Sequence, residues 1–343
     1  MSRIVARVRR KRRGMTLIEI MISLVLIGIV GGVVMRVVMR QQRFYQGVNQ
    51  IMTQRSQLRQ GTSVLPMDLR SVSSVGGDIL TASDASVEFD VNIGTGVVCA
   101  ALPGGTKVAL PPATLTSGAV LTTFYGYGDT GPDAATIARG VSVYIYNDST
   151  VAGNADDTWK KFDLVAMEAD AAQCLFTFLP TVSVADAGKP RPILTLSDPE
   201  GKSDAVTGGP LSRYINPGAT VRLVKRVRYQ LYKETTDNKW YLGFSEYDKS
   251  KGSYETATPV SGPYDAYSNT AGIGSGLGFR YYDVNDTEIA SGAAAVDLAR
   301  ISRIDLVTRA RTSANVRTAG IQNGVSKQYR DSLAVSVMIR NRQ

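Results

Sequence analysis

The sequence predicts an α+β protein: a long N-terminal helix, its first half suited to a membrane, followed by a β-rich domain. Three observations carry this. An apolar run from Met15 to Met35 contains no proline and one ionisable residue, Glu19. Apolar spacing of three and four continues well beyond it. From about residue 70 the period changes to two, in short runs separated by Gly/Pro/Ser/Asp-rich stretches.

The 21 residues of the apolar run would span roughly 31 Å as a helix, about one bilayer core. It is apolar on all sides, which reads as lipid-embedded rather than as a core helix. Residues 1–14 precede it with seven Lys or Arg and no acid. That asymmetry predicts a cytoplasmic N-terminus and an extracytoplasmic domain after a single span. A secretory signal peptide fits badly, because the run is long and no small-x-small site follows. The formal charge of +9 mostly belongs to this leader: the rest carries 32 basic against 30 acidic residues. The basic balance is therefore poor support for a nucleic-acid partner.

Glu19 needs an explanation. An acid deep in a membrane helix costs on the order of 2–3 kcal/mol. Near the end the carboxylate snorkels, and a helix N-terminus favours negative charge by roughly 0.3–1 kcal/mol. One reading is a tolerated interfacial glutamate. The other follows from a cut between Gly14 and Met15, which would give Met15 a free α-amine one helical turn from Glu19. Amine and carboxylate would then neutralise each other, within one chain or between packed chains.

Past the membrane run, Phe44, Val48, Ile51, Arg55, Leu58, Thr62, Leu65 and Leu69 form a 4-3-4-3 stripe. Its simplest meaning is packing against the chain's own domain. Gly61 and Pro66 are expected to end or bend the helix. Gly28, Gly31 and Gly32 are ordinary in a membrane helix.

Strand patterns follow at SVEFDV, GVVCAAL, LTTFYGY, VSVYIYN, CLFTFL and ILTL. The longest, TVRLVKRVRYQLYKE, puts Val221, Leu223, Val227, Tyr229 and Leu231 on one face and Arg222, Arg226, Arg228 and Gln230 on the other. Asp237-Asn238 then marks a hairpin turn before KWYLGFSEY. LGFRYYDV, ISRIDLVT and DSLAVSVMIRN complete the set, with loops expected at 103–118, 197–218 and 248–276.

The chain has no histidine, which removes histidine-based acid–base chemistry, Ser-His-Asp triads and histidine metal sites. No enzyme, cofactor or metal is expected. The two cysteines, Cys99 and Cys174, fall outside the cytoplasm on this topology, and a disulfide between them would close a loop worth about 4 kcal/mol in the chain-entropy view. Two buried thiols are the alternative. NDSTVAGNADD is oxygen-rich but lacks a calcium-loop spacing. GIGSGLGF is not a GxGxxG followed by a helix, and reads as a loop. Arg222, Arg226, Arg228, Arg300, Arg303, Arg309 and Arg311 would form either a DNA-binding patch or a sheet face paired to nearby acids. The second is the expectation.

The basic leader, Gly14, hydrophobic Met15, the TLIEI that follows and the long apolar helix resemble the class III signal of type IV prepilins and type II secretion pseudopilins. The family more often has Phe where Met15 stands. The resemblance implies cleavage after Gly14 by an inner-membrane prepilin peptidase and N-methylation of Met15. It also implies pairing of Glu19 with the N-terminal amine of an adjacent subunit. The implied organisation is a cleaved leader over 1–14, a transmembrane half-helix over 15–35, an amphipathic stalk over 36–65 and a pilin-like β-rich domain over 70–343.

VKRVRYQLY, KWYLGF, LGFRYYD, RISRIDLVTRA and SLAVSVMIRNR, with QLRQGTSVLPMDLR after the stalk, are similar in layout to PilW-type minor pilins. The J-type minor pseudopilin of type II secretion shares much of it. Pro66 departs from the pattern, and residues 90–215 resemble nothing placed. The resemblance implies a subunit of a filament tip or priming complex. Its partners would be other minor and major pilins and an inner-membrane assembly platform, with adhesion and DNA uptake as roles open to it. A mature chain of 329 residues suits a tip better than a repeating subunit. A signal-anchored binding module is the alternative of another class.

Overall fold

A computed structural model of the chain describes residues 16–102, 106–147, 158–171, 174, 184–186, 188–197, 215–268, 274–313, 315–316 and 328–339. Gly14 and Met15, most of the NDSTVAGNADD loop, the CLFTFL segment beyond Cys174, and Gly272 lie outside the described residues. The chain divides into two units. One holds residues up to Thr53 with Thr312–Tyr329, and the other holds Gln54–Arg311 with Arg330 onward.

Helix α1 runs unbroken from Leu17 to Leu69. In the first unit its side chains from Leu17 to Met39 are exposed. Further along, Val316 packs over Gly47, where a Cβ would lie 3.6 Å from it. In the second unit one face of the helix is buried: Gln54, Leu58, Gly61, Thr62, Leu65 and Leu69. The expected stripe is therefore correct in its C-terminal part but rotated at one position. Gln54 takes the inward place and donates to the carbonyl of Ala310. Arg55 points outward and pairs with Asp331 at 3.0 Å.

The helix passes through both residues expected to end or bend it. Pro66 removes one N–H donor, but it stands only three residues before Leu69, so one intrahelical bond is lost. Leu65 and Leu69 have no exposed surface, and each contributes about 1.5–3 kcal/mol of burial, enough to hold the last turn. Gly61 is a contact glycine rather than a terminator. A Cβ there would overlap the hydroxyls of Tyr264 and Ser261, which are 2.6 Å from each other.

The strands, in chain order, are β1 (Ile79–Ala82), β2 (Ser86–Val97), β3 (Ala100–Ala101), β4 (Lys107–Ala109), β5 (Thr123–Phe124), β6 (Ser142–Asn147), β7 (Thr158–Ala169), β8 (Pro192–Ser197), β9 (Thr220–Lys233), β10 (Trp240–Asp248), β11 (Ser253–Tyr254), β12 (Thr258–Tyr264), β13 (Leu277–Tyr282), β14 (Glu288–Ile289), β15 (Arg303–Arg311) and β16 (Arg330–Met338). Two short helices, α2 (Ala134–Gly140) and α3 (Ala295–Leu298), join them. Among the described residues one antiparallel sheet has the path β1-β2-β9-β6-β7-β8-β4-β3, with β10, β11, β12 and β5 attached. The other has the order β14-β13-β15-β16.

Two hydrophobic cores share the long strands β2 and β9. The first gathers Leu58, Leu65 and Leu69 of α1 with Phe89, Tyr229, Leu242 and the inward side chains of β13 and β15. The second holds Ile93, Val143, Phe162, Leu194, Val221 and Leu223. The register of β2 against β9 shifts between Asn92 and Gly94, where the strand passes from one core to the other. The described residues between 90 and 215 thus build most of the second core as an extension of the same sheet.

Several sequence expectations fail here for identifiable reasons. Strands β4, β11 and β12 lie inside stretches expected as loops. β12 carries Pro259 and Pro263 and pairs on one side only, with β10, which a sheet edge tolerates. β7 was invisible to a period-two reading, because its register against β8 shifts between Leu164 and Ala166 and breaks the alternation. β9 alternates as expected from Arg226 onward, but Val221–Lys225 is buried on both faces. Arg222, expected on the solvated face, is therefore internal. It pairs with Asp78 at 2.5 Å, and Ser73 donates its N–H to the same carboxylate oxygen at 2.7 Å.

Tyr229 ties the end of α1 to the sheet. Its ring stacks on Phe89 at 5.9 Å, and its hydroxyl donates to Asp68 at 2.6 Å. Cys99 and Cys174 form a disulfide, with Cα atoms 5.7 Å apart, in a small buried cluster with Ala109 and Ile193.

Gly61→Ala should destabilise the purified protein by about 1–3 kcal/mol in denaturant unfolding, because overpacking outweighs the helix-propensity gain of about 1 kcal/mol. An unchanged or raised midpoint would show that the helix does not press on Tyr264. Burial holds the Asp68 carboxyl above its ordinary value of 3.8, against the opposing effect of the Tyr229 hydrogen bond. A carboxyl raised in the folded state favours folding below its unfolded pKa, and that contribution is lost as pH rises through the folded value. Asp68→Asn should therefore raise the thermal midpoint at neutral pH, with the gain vanishing as pH falls toward 3.8. A gain of equal size at both ends of that range would contradict this.

Candidate functional site at the helix N-terminus

The sequence TLIE at residues 16–19 starts α1, and its local chemistry explains why the helix begins there. The first N–H groups of a helix lack intrahelical partners. Thr16 stands just before Leu17 and Glu19 three residues after Thr16, the spacing of a capping box. The Thr16 N–H donates to Glu19 Oε2 at 3.0 Å, and the Thr16 hydroxyl donates to the same oxygen at 3.1 Å. In return the Glu19 N–H donates to Thr16 Oγ1 at 3.4 Å. The carboxylate thus closes the helix end and sits in the first turn, where the dipole favours it.

Thr16 is the residue the structure adds to this site; its sequence signal is T-x-x-E ahead of an apolar run, which shows through hydrogen-bond spacing rather than charge.

Behind this cap, α1 is long and apolar enough to cross a membrane, and none of its most apolar stretch is buried in the fold. Gly28, Gly31 and Gly32 have nothing within 4 Å of where a Cβ would stand.

The other sequence-predicted groups resolve as follows. Cys99 and Cys174 are brought together, in the β-rich unit. The arginines expected on a basic face are engaged rather than massed as free charge. Arg222 pairs with Asp78, and Arg226 and Arg228 share Glu88. Arg226 and Arg228 also lie over the Tyr254 ring, Arg228 at 3.9 Å. Arg300 pairs with Asp283 and Asp297, Arg303 with Asp286 and Asp305, and Arg311 with Asp265. Arg309 donates to the carbonyl of Ser275 at 3.0 Å. In the GIGSGLGF segment, Gly276 permits close backbone packing, since a Cβ there would collide with the backbone of Asp265.

No curated protein and no solved structure matches the chain. The family described as the prokaryotic N-terminal methylation motif matches residues 9–35, a span that contains Gly14, Met15, Thr16 and Glu19. That match, with the capped apolar helix it covers, supports the type IV prepilin-like class for this chain, processed by a prepilin peptidase and assembling with other pilins.

Proposed function

We propose that the protein is a minor pilin of PilW type, processed after Gly14 and methylated at Met15, that joins the tip or priming complex of a type IV pilus. The role is structural and assembly-directed rather than enzymatic. The observation that carries it is Glu19: a carboxylate held at the first turn of an exposed apolar helix, inside the methylation motif. Cleavage would place the new amine of Met15 beside this turn. In an assembled filament the carboxylate would meet the amine of an adjacent subunit. The domain supports a low-abundance place, because residues 90–215 add a second hydrophobic core to the sheet and enlarge the subunit. The J-type pseudopilin of type II secretion shares the processing step, and loss of twitching against loss of exoprotein secretion on deletion separates the two.

Mass spectrometry of the mature N-terminus, from membranes and from sheared surface material, should find a peptide beginning at N-methylated Met15. An intact leader in cells with active peptidase would sink this reading and leave a signal-anchored module. Glu19→Ala should abolish incorporation into sheared filaments while leaving membrane insertion intact. Thr16→Val removes one donor to the carboxylate and the acceptor for the Glu19 N–H, a capping loss of about 1 kcal/mol, and should lower incorporation without abolishing it. Wild-type incorporation by Thr16→Val would show that the capping box has no part in assembly.

A further inference from the structure

Where β15 ends and β16 begins, the β-rich unit has a cavity of about 470 Å³ whose lining includes Asp265, Gly274, Arg309, Arg311, Arg330 and Ser332. Its charge arrangement is unfavourable for the fold alone. Arg309 and Arg311 are two apart on β15 and so share one face. Arg330 is the direct cross-strand partner of Arg311. Directly opposed like charges destabilise an antiparallel pair, and Arg309 adds a third cation on the same face.

Compensation within the fold is partial. Asp265 pairs with Arg311 at 2.6 Å. Asp331, the next residue on β16 and also part of the cavity lining, is already engaged by Arg55 at 3.0 Å, so two carboxylates meet three guanidinium groups there. The guanidinium of Arg309 meets a backbone carbonyl, Ser275, and no carboxylate among the described residues. Arg330 makes no ion pair or side-chain hydrogen bond among the described residues. Gly274 leaves room for the Arg309 guanidinium, which a Cβ at that position would strike. On β9, by contrast, Arg226 and Arg228 are both matched to Glu88.

We propose that this cavity binds carboxylates of an acidic peptide segment, held by Arg309 and Arg330, with Arg311 fixed in place by Asp265. Guanidinium forks suit planar carboxylates, and a cavity of this size admits a few residues of extended peptide. The inference stands apart from the assembly role of Glu19.

The test uses the full-length protein in lipid nanodiscs and calorimetric titration with tetraglutamate, with tetraglutamine and inorganic phosphate as separate arms. Tetraglutamate should bind, more weakly as salt rises, and Arg330→Gln or Arg309→Gln should weaken it about tenfold, the value of roughly one charge-assisted contact. Arg280→Gln, an exposed arginine on β13 outside the cavity lining, should leave it unchanged. The thermal midpoint of Arg330→Gln should stay level or rise, since a repulsion is removed. Equal binding of tetraglutamate and tetraglutamine, phosphate binding tighter than tetraglutamate, or a lowered midpoint in Arg330→Gln would each overturn the proposal. The first would remove charge recognition, the second would make the site a phosphate site, and the third would make the arginine structural.

Discussion

The contact between the last three turns of α1 and the first core is the constraint on which the β-rich unit depends. Leu58, Leu65 and Leu69 share one buried cluster with side chains of β2, β9, β10, β13 and β15, so strands of both sheets bury residues in the core the helix helps to build. A helix can approach sheet residues this closely only where its surface is small, and Gly61 provides that beneath Tyr264 and Ser261. Polar contacts then fix position along the helix. Gln54 reaches the carbonyl of Ala310, Arg55 reaches Asp331, and Tyr229 reaches Asp68. Apolar burial is non-directional and would permit sliding, whereas these three bonds permit one register.

The same logic places the second core. β2 and β9 are 12 and 14 residues long, more than one core can cover. Their far halves carry Ile93, Val221 and Leu223, and these demand a further layer, which residues 90–215 supply. At the passage between the cores the interior contains charge. Asp78 and Arg222 pair with little solvent access, and Asp90 accepts from Tyr144 and Lys161 at 3.1 and 2.8 Å. Isolated, each of these ions would be costly to bury; paired and hydrogen-bonded they are sustainable, though an apolar replacement of both partners would often stabilise as much. Their evident effect is on position: Asp78 joins the loop after α1, through the Ser73 N–H, to Arg222 near the start of β9.

Most of this layout was legible where one physical signal dominated. The apolar run, the period-two strands and the turn at Asp237-Asn238 are local patterns, and Asn238 does take the left-handed backbone conformation, with φ 61°. Legibility failed where tertiary context overrode the local pattern. Pro66 and Gly61 read as helix breakers because propensity says so, yet burial of their neighbours and close approach to Tyr264 decide the outcome. The apolar stripe misplaced Arg55 because a 4-3 count cannot tell a buried glutamine from an arginine one residue away. Strands on a sheet edge, or with a register shift, as in β12 and β7, lose the alternation that identifies a strand. At the helix N-terminus the charge of Glu19 was legible, and the T-x-x-E spacing that engages it was equally present but is read through hydrogen-bond geometry rather than charge.

That distinction bears on how Glu19 works. Under the proposed assembly role, an unassembled subunit would have to hold the carboxylate near the membrane surface without a partner chain. The capping box contributes about 1 kcal/mol and the helix dipole roughly 0.3–1 kcal/mol, against an insertion cost on the order of 2–3 kcal/mol. These local effects offset much of the cost and leave a remainder. Hydrogen bonds from the Thr16 N–H and hydroxyl satisfy lone pairs on one oxygen, Oε2, and they do not cancel the charge. The carboxylate is therefore oriented and tolerable, yet still gains from meeting a cation in a low-dielectric setting, where attraction is strongest. A fully neutralised glutamate would have nothing to gain from a neighbour, and an unsupported one would resist insertion. The Thr16–Glu19 box lies between those limits, so under the proposed assembly role the first turn of α1 would be a stable waiting state for an amine supplied by another subunit.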